Sequence, residues 1–136
     1  MLVRQVRLSN RAKQQLARLK GKTGIQNWNV LCRWALCLSL ADPTPPPDVD
    51  IVLDSNVEMS WYVFGGDYHE LYTALLIQRC LDEGLEVTPA NISKLLRVHL
   101  HRGIAYLSTT NFISSIEDLL SLVASGGRES QHEQVG

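Results

Sequence analysis

The sequence has no long apolar run, and it is poor in cysteine and in aromatic residues. Its longest apolar stretch, about residues 30–41, is interrupted by Arg33 and is shorter than the roughly 20 residues needed to cross a bilayer. Arginines near the start break up any signal-peptide core, so we expect no membrane segment and a cytoplasmic location. The three cysteines form an odd set without a Cys-x-x-Cys pair, which favours a reducing compartment over a disulfide framework.

Motifs for catalysis and metal binding are also lacking. There is no glycine-rich phosphate loop with lysine, no Gly-x-Ser-x-Gly and no evident Ser/His/Asp set. On a helix, His99 and His101 point about 200° apart, and Cys32 and Cys37 point about 140° apart, so neither pair readily holds one metal ion. We therefore predict no cofactor, no metal site and no enzymatic activity, with His99 as a satisfied core or interface histidine and the cysteines as core residues.

Charge is distributed unevenly along a nearly neutral chain. The formal net charge is -1, yet the first 41 residues contain eight basic residues and no acidic one. Residues 42–89 reverse this balance, with ten acidic residues and Arg79 as the one basic residue, and basic residues return at 94–102. Because lysine and arginine neutralise phosphates without reading sequence, this asymmetry predicts a polyanion such as DNA as the ligand. The predicted DNA contacts are Arg4, Arg7, Arg11, Lys13, Arg18, Lys20, Lys22, Lys94, Arg97 and His101.

Apolar periodicity and capping residues predict a mainly α fold, with one helical domain at residues 1–125. Helices are expected at about 10–20, 26–40, 68–83, 89–107 and 114–124, with a short N-terminal strand and an extended segment near 57–64. Ser9 is a predicted cap, Asp67 with Glu70 is a capping-box pattern, and Thr88 with Pro89 marks another helix start. Four prolines between residues 42 and 50 indicate a stiff connector, and the polar residues 126–136 are predicted to form a disordered tail.

Three segments carry a resemblance to a known family. They are Arg7–Lys13 with Thr23–Ile25 and Trp28–Arg33, then Glu58–Trp61 with Phe64–Gly65, and finally the run His99–Leu107. In combination and order, residues 1–125 resemble the DndE family of DNA sulfur-modification (phosphorothioation) proteins. The resemblance implies a small helical protein, a homotetramer that prefers nicked double-stranded DNA and has no known catalytic residue. It also implies an iron–sulfur reductase-like enzyme and an ATPase as partners, and lysine contacts at Lys13, Lys20, Lys22 and Lys94.

Three functions stay open at this point. The first is a DNA-binding subunit that holds the phosphate backbone, chiefly of nicked duplex, and presents it to the sulfur-inserting partners. The second is a metal-dependent enzyme that nicks DNA, with ligands at Asp48, Asp50, Asp54 and Glu58. The third is an assembly scaffold that binds other proteins through the apolar second helix and through Trp61, Tyr62 and Phe64. The acid-free N-terminal segment favours the first.

Overall fold

The computed structural model describes residues 2–109. Its elements are β1 Gln5–Arg7, α1 Asn10–Thr23, α2 Trp28–Ala41, β2 Glu58–Ser60, α3 Trp61–Gly65, a 3-10 turn at Gly66–Tyr68, α4 His69–Asp82 and α5 Pro89–Ser108. The prediction of a mainly α fold with a short N-terminal strand is confirmed. The predicted helix at 114–124 and the predicted disordered tail at 126–136 lie outside the described residues.

Local chemistry sets both ends of α1. Ser9 lies in extended backbone, and its hydroxyl accepts a hydrogen bond from the Ala12 N–H at 3.1 Å, as a helix cap does. At the other end Gly24 has a φ of 76°, and its N–H donates to the Lys20 carbonyl. The helix therefore runs past the predicted end at Lys20, because Gly21 is accommodated within it and Gly24 terminates it.

The extended segment that we predicted near 57–64 is confirmed only at its start, where β2 pairs with β1. The two strands are antiparallel and place Arg7 opposite Glu58. From Trp61 onward the chain is helical, because the Ser60 hydroxyl accepts from the Val63 N–H at 3.1 Å and starts α3. Two aromatic residues of this segment turn into the core instead of continuing the strand: Trp61 stacks on Phe64 with ring centroids 5.0 Å apart.

The predicted capping box at Asp67 and Glu70 is not formed. The chain passes from α3 through the 3-10 turn directly into α4, which starts after Tyr68 with no side-chain cap. A cap residue needs extended backbone, and Asp67 lies within the turn, so its carboxylate is not placed to cap the helix. The predicted cap at Thr88 is confirmed, since its hydroxyl accepts from the Asn91 N–H at 3.1 Å.

Helices α2 and α5 cross at the centre of the fold. A Cβ atom at Gly103 of α5 would lie 1.8 Å from the carbonyl oxygen of Ala35 in α2, so only glycine permits this approach of the two backbones. Leu36 of α2 and Ile104 of α5 are fully buried. Residues 43–57 then form a connector without helix or strand, as the prolines predict.

Candidate nucleic-acid interface

Two of the predicted lysines meet in an open groove of about 580 Å³, which we call the lysine groove. Lys13 and Lys20 are seven residues apart in α1 and therefore lie on the same flank of the helix. The start of α2 and the β2 segment form the other sides. Polar and aromatic lining residues are Gln26, Asn27, Trp28, Asn29, Asn56 and Glu58.

Both groove lysines contact neutral partners. Lys13 Nζ donates to Asn56 Oδ1 at 2.5 Å, and Lys20 Nζ lies 3.4 Å from the centroid of the Trp28 ring. Within residues 2–109, neither lysine forms a salt bridge. The two ammonium groups are thus positioned without being neutralised, and both remain able to attract an anion.

The first turn of α2 opens into the same groove. Asn27 precedes it in extended backbone, but the Asn27 side chain does not cap the helix. The leading N–H groups of a helix have no partner within that helix, and they favour anions. Asn29 is fixed by its Nδ2, which donates to the Val63 carbonyl at 3.2 Å. The groove therefore combines two cations and a helix end of the same electrostatic sign with one carboxylate, that of Glu58.

A second cavity brings one N-terminal arginine beside one arginine of α5. Arg7 and Arg97 both line a space of about 210 Å³, together with the polar side chains of Gln5 and Ser93. The cavity thus joins an N-terminal cation with a cation of α5, and the role of both as DNA contacts stays a prediction. We call this space the arginine cavity.

Other predicted cations are more scattered. Arg4, Arg11, Arg18 and Lys22 are all exposed. In α1 each lies about a half-turn around the helix from the groove lysines, as Arg11 does from Lys13, with the buried face of the helix between the two flanks.

Lys94 and His101 of α5 are engaged with the protein itself. Lys94 Nζ pairs with Asp48 at 2.5 Å, and both side chains are exposed. His101 Nε2 accepts from the Ser9 N–H at 3.2 Å, while its Nδ1–H donates to the Arg97 carbonyl at 2.8 Å. Burial lowers the pKa of His101, so the ring is mainly neutral and links α5 to the start of α1. Its assignment as a DNA contact stays a prediction that this geometry does not favour.

A hydrogen-bonded chain that the sequence did not reveal lies buried between α2, α4 and α5. The Ser39 hydroxyl donates to His99 Nδ1 at 2.8 Å, and His99 Nε2–H donates to the Glu83 carboxylate at 2.9 Å. Arg102 Nε–H donates to Ser39 Oγ at 2.8 Å, which leaves the hydroxyl proton for the imidazole. Burial lowers the pKa of His99 despite the opposing effect of Glu83.

This series of hydrogen bonds contains a Ser/His/acid set, which we had not expected from the sequence. Its members are 60 and 16 positions apart, so no local motif announces them. Ser39 and His99 both have 0% exposure. A hydroxyl without access to solvent cannot reach a substrate, so the set joins helices and does not resemble a working nucleophile. The prediction that His99 is a satisfied core histidine is confirmed.

Two arginines extend the buried chain to the end of α2. Arg79 donates to the carbonyls of Leu40 at 2.9 Å and Asp42 at 2.7 Å, and its Nε–H donates to Glu83 at 2.7 Å. Arg102 donates to the Thr44 carbonyl at 2.5 Å, where the proline connector begins. Helix ends leave carbonyls without partners, and these guanidinium groups satisfy them. We call this region the arginine network.

Beside the arginine network, Asp42 anchors the proline connector. Its Oδ1 accepts from the Thr44 N–H at 2.9 Å, and its Oδ2 accepts from the Tyr106 hydroxyl at 2.9 Å. These hydrogen bonds, with the charge of Arg102, lower the pKa of Asp42. The hydrogen bond to Asp42 also raises the pKa of Tyr106.

The acidic residues proposed as metal ligands are not gathered in one place. Asp48 pairs with Lys94, Asp54 Oδ1 accepts from the Asn10 N–H at 2.8 Å at the start of α1, and Glu58 lines the lysine groove. In the part of the chain that the structure describes, no group of three or more His, Cys, Asp or Glu side chains could hold a metal ion.

The cysteines and the aromatic cluster divide between core and surface. Cys32 and Cys80 are buried as predicted, and burial raises the pKa of the Cys32 thiol to about 12. The prediction that Cys37 is a core residue is wrong, because it lies on the exposed side of α2. Of the predicted docking aromatics, Trp61 and Phe64 are fully buried, whereas Tyr62 is 54% exposed.

Comparisons with known proteins agree with this architecture. The sequence profile of the family described as "DNA sulphur modification protein DndE" matches residues 5–115. The crystal structure of DndE from Escherichia coli B7A, involved in DNA phosphorothioation modification, is 24% identical with a TM-score of 0.67, covering 79% of this chain and 98% of that one. A mutant DndE involved in DNA phosphorothioation is 20% identical with a TM-score of 0.57, covering 77% and 98%.

Two further observations concern matches to curated proteins and membrane-spanning helices. No curated protein matches the sequence. None of the helices within residues 2–109 has the length and apolar character that a membrane span requires.

Proposed function

The chain belongs to the DndE family of DNA sulphur modification proteins, and from this premise we propose that it is a DNA-binding subunit that holds the phosphate backbone in the lysine groove. The observation that carries the proposal is the pairing of Lys13 and Lys20 over one open groove with neutral partners only. Each cation that replaces condensed counterions adds to the salt-dependent affinity for DNA without reading its sequence.

The arginine cavity is proposed as a second contact for the same DNA. Arg7 and Arg97 line a cavity separate from the groove lysines, and we propose that the DNA bends to reach both. A nick makes the duplex easier to bend, which lowers the deformation energy of binding. Nicked double-stranded DNA is therefore the proposed ligand, and Arg4, Arg11, Arg18, Lys22 and Lys94 are proposed as weaker contacts at the margins.

Protein partners form a second candidate role. Exposed apolar side chains are concentrated around α3 and α4, at Tyr62, Val63, Tyr68, Leu71 and Leu75. Contiguous exposed apolar surface is typical of sites that bind other proteins. We propose that this surface serves assembly, as a homotetramer or with the iron–sulfur and ATPase components of the modification system. The proposed setting is the cytoplasm, with which the three free cysteines are consistent.

A binding titration tests the DNA proposal. Fluorescence anisotropy with intact, nicked and single-stranded DNA at two salt concentrations should give the tightest binding for the nicked duplex. The double variant Lys13→Glu, Lys20→Glu should bind DNA at least about tenfold more weakly, and its salt slope should fall by about 2, because two phosphate contacts are lost. The control is Arg33→Glu, which changes charge in a different cavity on α2. Unchanged affinity and slope in the double variant would contradict the proposal.

The enzymatic alternative has its own test. Purified protein is incubated with supercoiled plasmid and either magnesium or manganese, and we expect no nicked product. Nicking that disappears when Asp48, Asp50, Asp54 and Glu58 are replaced by alanine would favour a metal-dependent enzyme instead.

A further inference from the structure

The lysine groove contains more kinds of side chain than binding of a phosphate backbone requires. Beside its two cations and the carboxylate of Glu58 it presents the indole of Trp28 and the amide side chains of Gln26, Asn27, Asn29 and Asn56. Backbone phosphates need cations and simple donors, whereas indoles stack on bases and amides hydrogen-bond to base edges. We infer that the groove binds one unpaired nucleotide, with its base against Trp28 and its phosphate at the lysines. This inference rests on the proposed DNA-binding function.

The shape of the groove favours an unpaired nucleotide over a paired one. Base edges of a duplex lie at the floor of the DNA grooves, where a protruding helix or ribbon is needed to read them. The site on this protein is a recess of about 580 Å³, within the size range of small-ligand sites. A recess receives a group that protrudes from the nucleic acid, and an extruded or single-stranded nucleotide is such a group.

Trp28 is placed to act as the stacking surface. Its ring is partly buried against the hydrophobic core, which fixes its orientation. The ring also carries the ammonium group of Lys20 at 3.4 Å from its centroid. Because that ammonium stands at the end of a flexible side chain, a phosphate can draw it aside and open the indole to a base.

The amides supply both donors and acceptors around the ring. Asn56 uses Oδ1 to accept from Lys13, which leaves its Nδ2 as a donor. Asn29 uses Nδ2 to donate to the Val63 carbonyl, which leaves its Oδ1 as an acceptor. Asn27 does not use its side chain to cap α2. A mixed set of donors and acceptors matches the edge of a nucleobase, which also presents both.

The test compares duplexes that differ by one base. The probes are a fully paired duplex, the same duplex with a one-nucleotide bulge, and the same bulge without its base. We expect the wild-type protein to bind the bulged duplex about tenfold more tightly than the other two, since stacking of one base on an aromatic ring has about that effect. Tryptophan fluorescence should change more on binding the bulged duplex than on binding the other two.

Variants assign the preference to the groove. Trp28→Ala should lose most of the preference for the bulged base, and Asn27→Ala, whose side chain is exposed, should reduce the preference without affecting folding. Trp28→Phe should keep part of the preference and serves if Trp28→Ala does not fold. Trp34→Phe, in a different cavity on α2, is the matched control.

The outcomes separate this inference from the proposed function. Equal affinity for the bulged base and the baseless bulge, or an unchanged preference in Trp28→Phe and Asn27→Ala, would overturn the inference. Salt-dependent binding of the paired duplex would still support the proposed function in that case, and its absence would overturn both. A free deoxynucleoside monophosphate as a further probe separates the two sources of the ligand. Binding it as tightly as the bulged duplex would indicate a site for small nucleotides instead.

Discussion

The lysine groove and the arginine network use the same kind of charge in opposite ways. Lys13 and Lys20 lie at an open surface and contact only neutral groups. Arg79 and Arg102 each expose only 10% of their side-chain surface, and they donate to main-chain carbonyls at the end of α2. One region keeps its cations for a ligand, and the other uses them to fix the fold.

The difference lies in the partners that the fold supplies. A guanidinium has five donors in a planar fork and can satisfy several carbonyls at once, which suits a crowded helix end. An ammonium on a long flexible stem remains hydrated at a surface and adapts to a phosphate. Counting basic residues along the sequence treats both regions alike, so mutations are needed to separate them.

The largest effect on stability is expected from Gly103→Ala, which disrupts the crossing of α2 and α5 beside the arginine network. A Cβ atom there meets the main chain of Ala35, which cannot move without separating α2 from α5. We expect the free energy of unfolding to fall by about 3 kcal/mol or more in urea denaturation. The control is Gly21→Ala in α1, which meets no atom within 4 Å and should stabilise slightly. Equal stability of both variants would contradict the described crossing.

Next in size are the effects of two substitutions in α5, one at a buried arginine that supports the fold and one at an arginine proposed to contact DNA. Arg102→Gln should lower the free energy of unfolding by about 2 kcal/mol, because carbonyls at Ser39 and Thr44 lose their donors. Arg97→Gln should change stability by less than about 0.5 kcal/mol. DNA affinity, measured where both variants are folded, should fall for Arg97→Gln alone. The reverse pattern would mean that the two regions are wrongly distinguished.

A smaller effect is expected from acid, and it should act through two imidazoles, that of His99 beside the arginine network and that of His101, which contacts the start of α1. Burial lowers the pKa of His99 and of His101 from the ordinary value of 6.5. The unfolded chain then binds more protons than the folded one, so stability is complete above pH 6.5 and falls as pH drops below it. The loss is at most about 1.4 kcal/mol per pH unit for each imidazole. Urea midpoints at pH 7.5 and 5.5 measure it.

A variant identifies the histidine responsible. Replacing His99 by Gln should flatten the pH dependence between pH 7.5 and 5.5 in part, because His101 still titrates. The charged groups that face His99 are Glu83, Arg79 and Arg102. A midpoint that does not change with pH in the wild-type protein would contradict the burial of both rings as the cause.

The smallest effect is expected from Lys94→Ala. Its ion pair with Asp48 is exposed, and such pairs contribute less than about 1 kcal/mol, so stability should hardly change. DNA affinity should fall less than in Lys13→Ala, because Asp48 competes with phosphate for the Lys94 ammonium. Anisotropy titrations of both variants at low salt check this ranking. An equal loss in the two variants would place Lys94 fully in the DNA contact.

Several features of the fold could be predicted because their causes are local. The caps at Ser9 and Thr88 each act on an N–H three residues away, and the prolines fix the backbone angles of their own segment. The extended segment near 57–64 was predicted less well, because β-branched and aromatic residues favour strands locally. Burial of Trp61 and Phe64 in the core outweighs that preference.

The candidate site could likewise be predicted from the sequence only where its causes are local. The seven-residue spacing of Lys13 and Lys20 already places them on one flank of a helix. Their meeting with Asn56 and Trp28 depends on the packing of α1 against the start of α2 and β2, which no spacing in the sequence encodes. The hydrogen bond between Ser9 and His101 joins residues 92 positions apart, so the positions of residues around one helix could not predict it.

The sequence by itself determined the main helices, the proline connector and an N-terminal segment without acidic residues, because these follow from composition and from contacts a few residues apart. Only the tertiary structure decided which cations face outward. Arg102 meets Ser39 across 63 positions and becomes part of the fold, while Lys13 meets a neutral amide and keeps its charge available. Charge belongs to a residue, but its use depends on the groups that folding brings beside it.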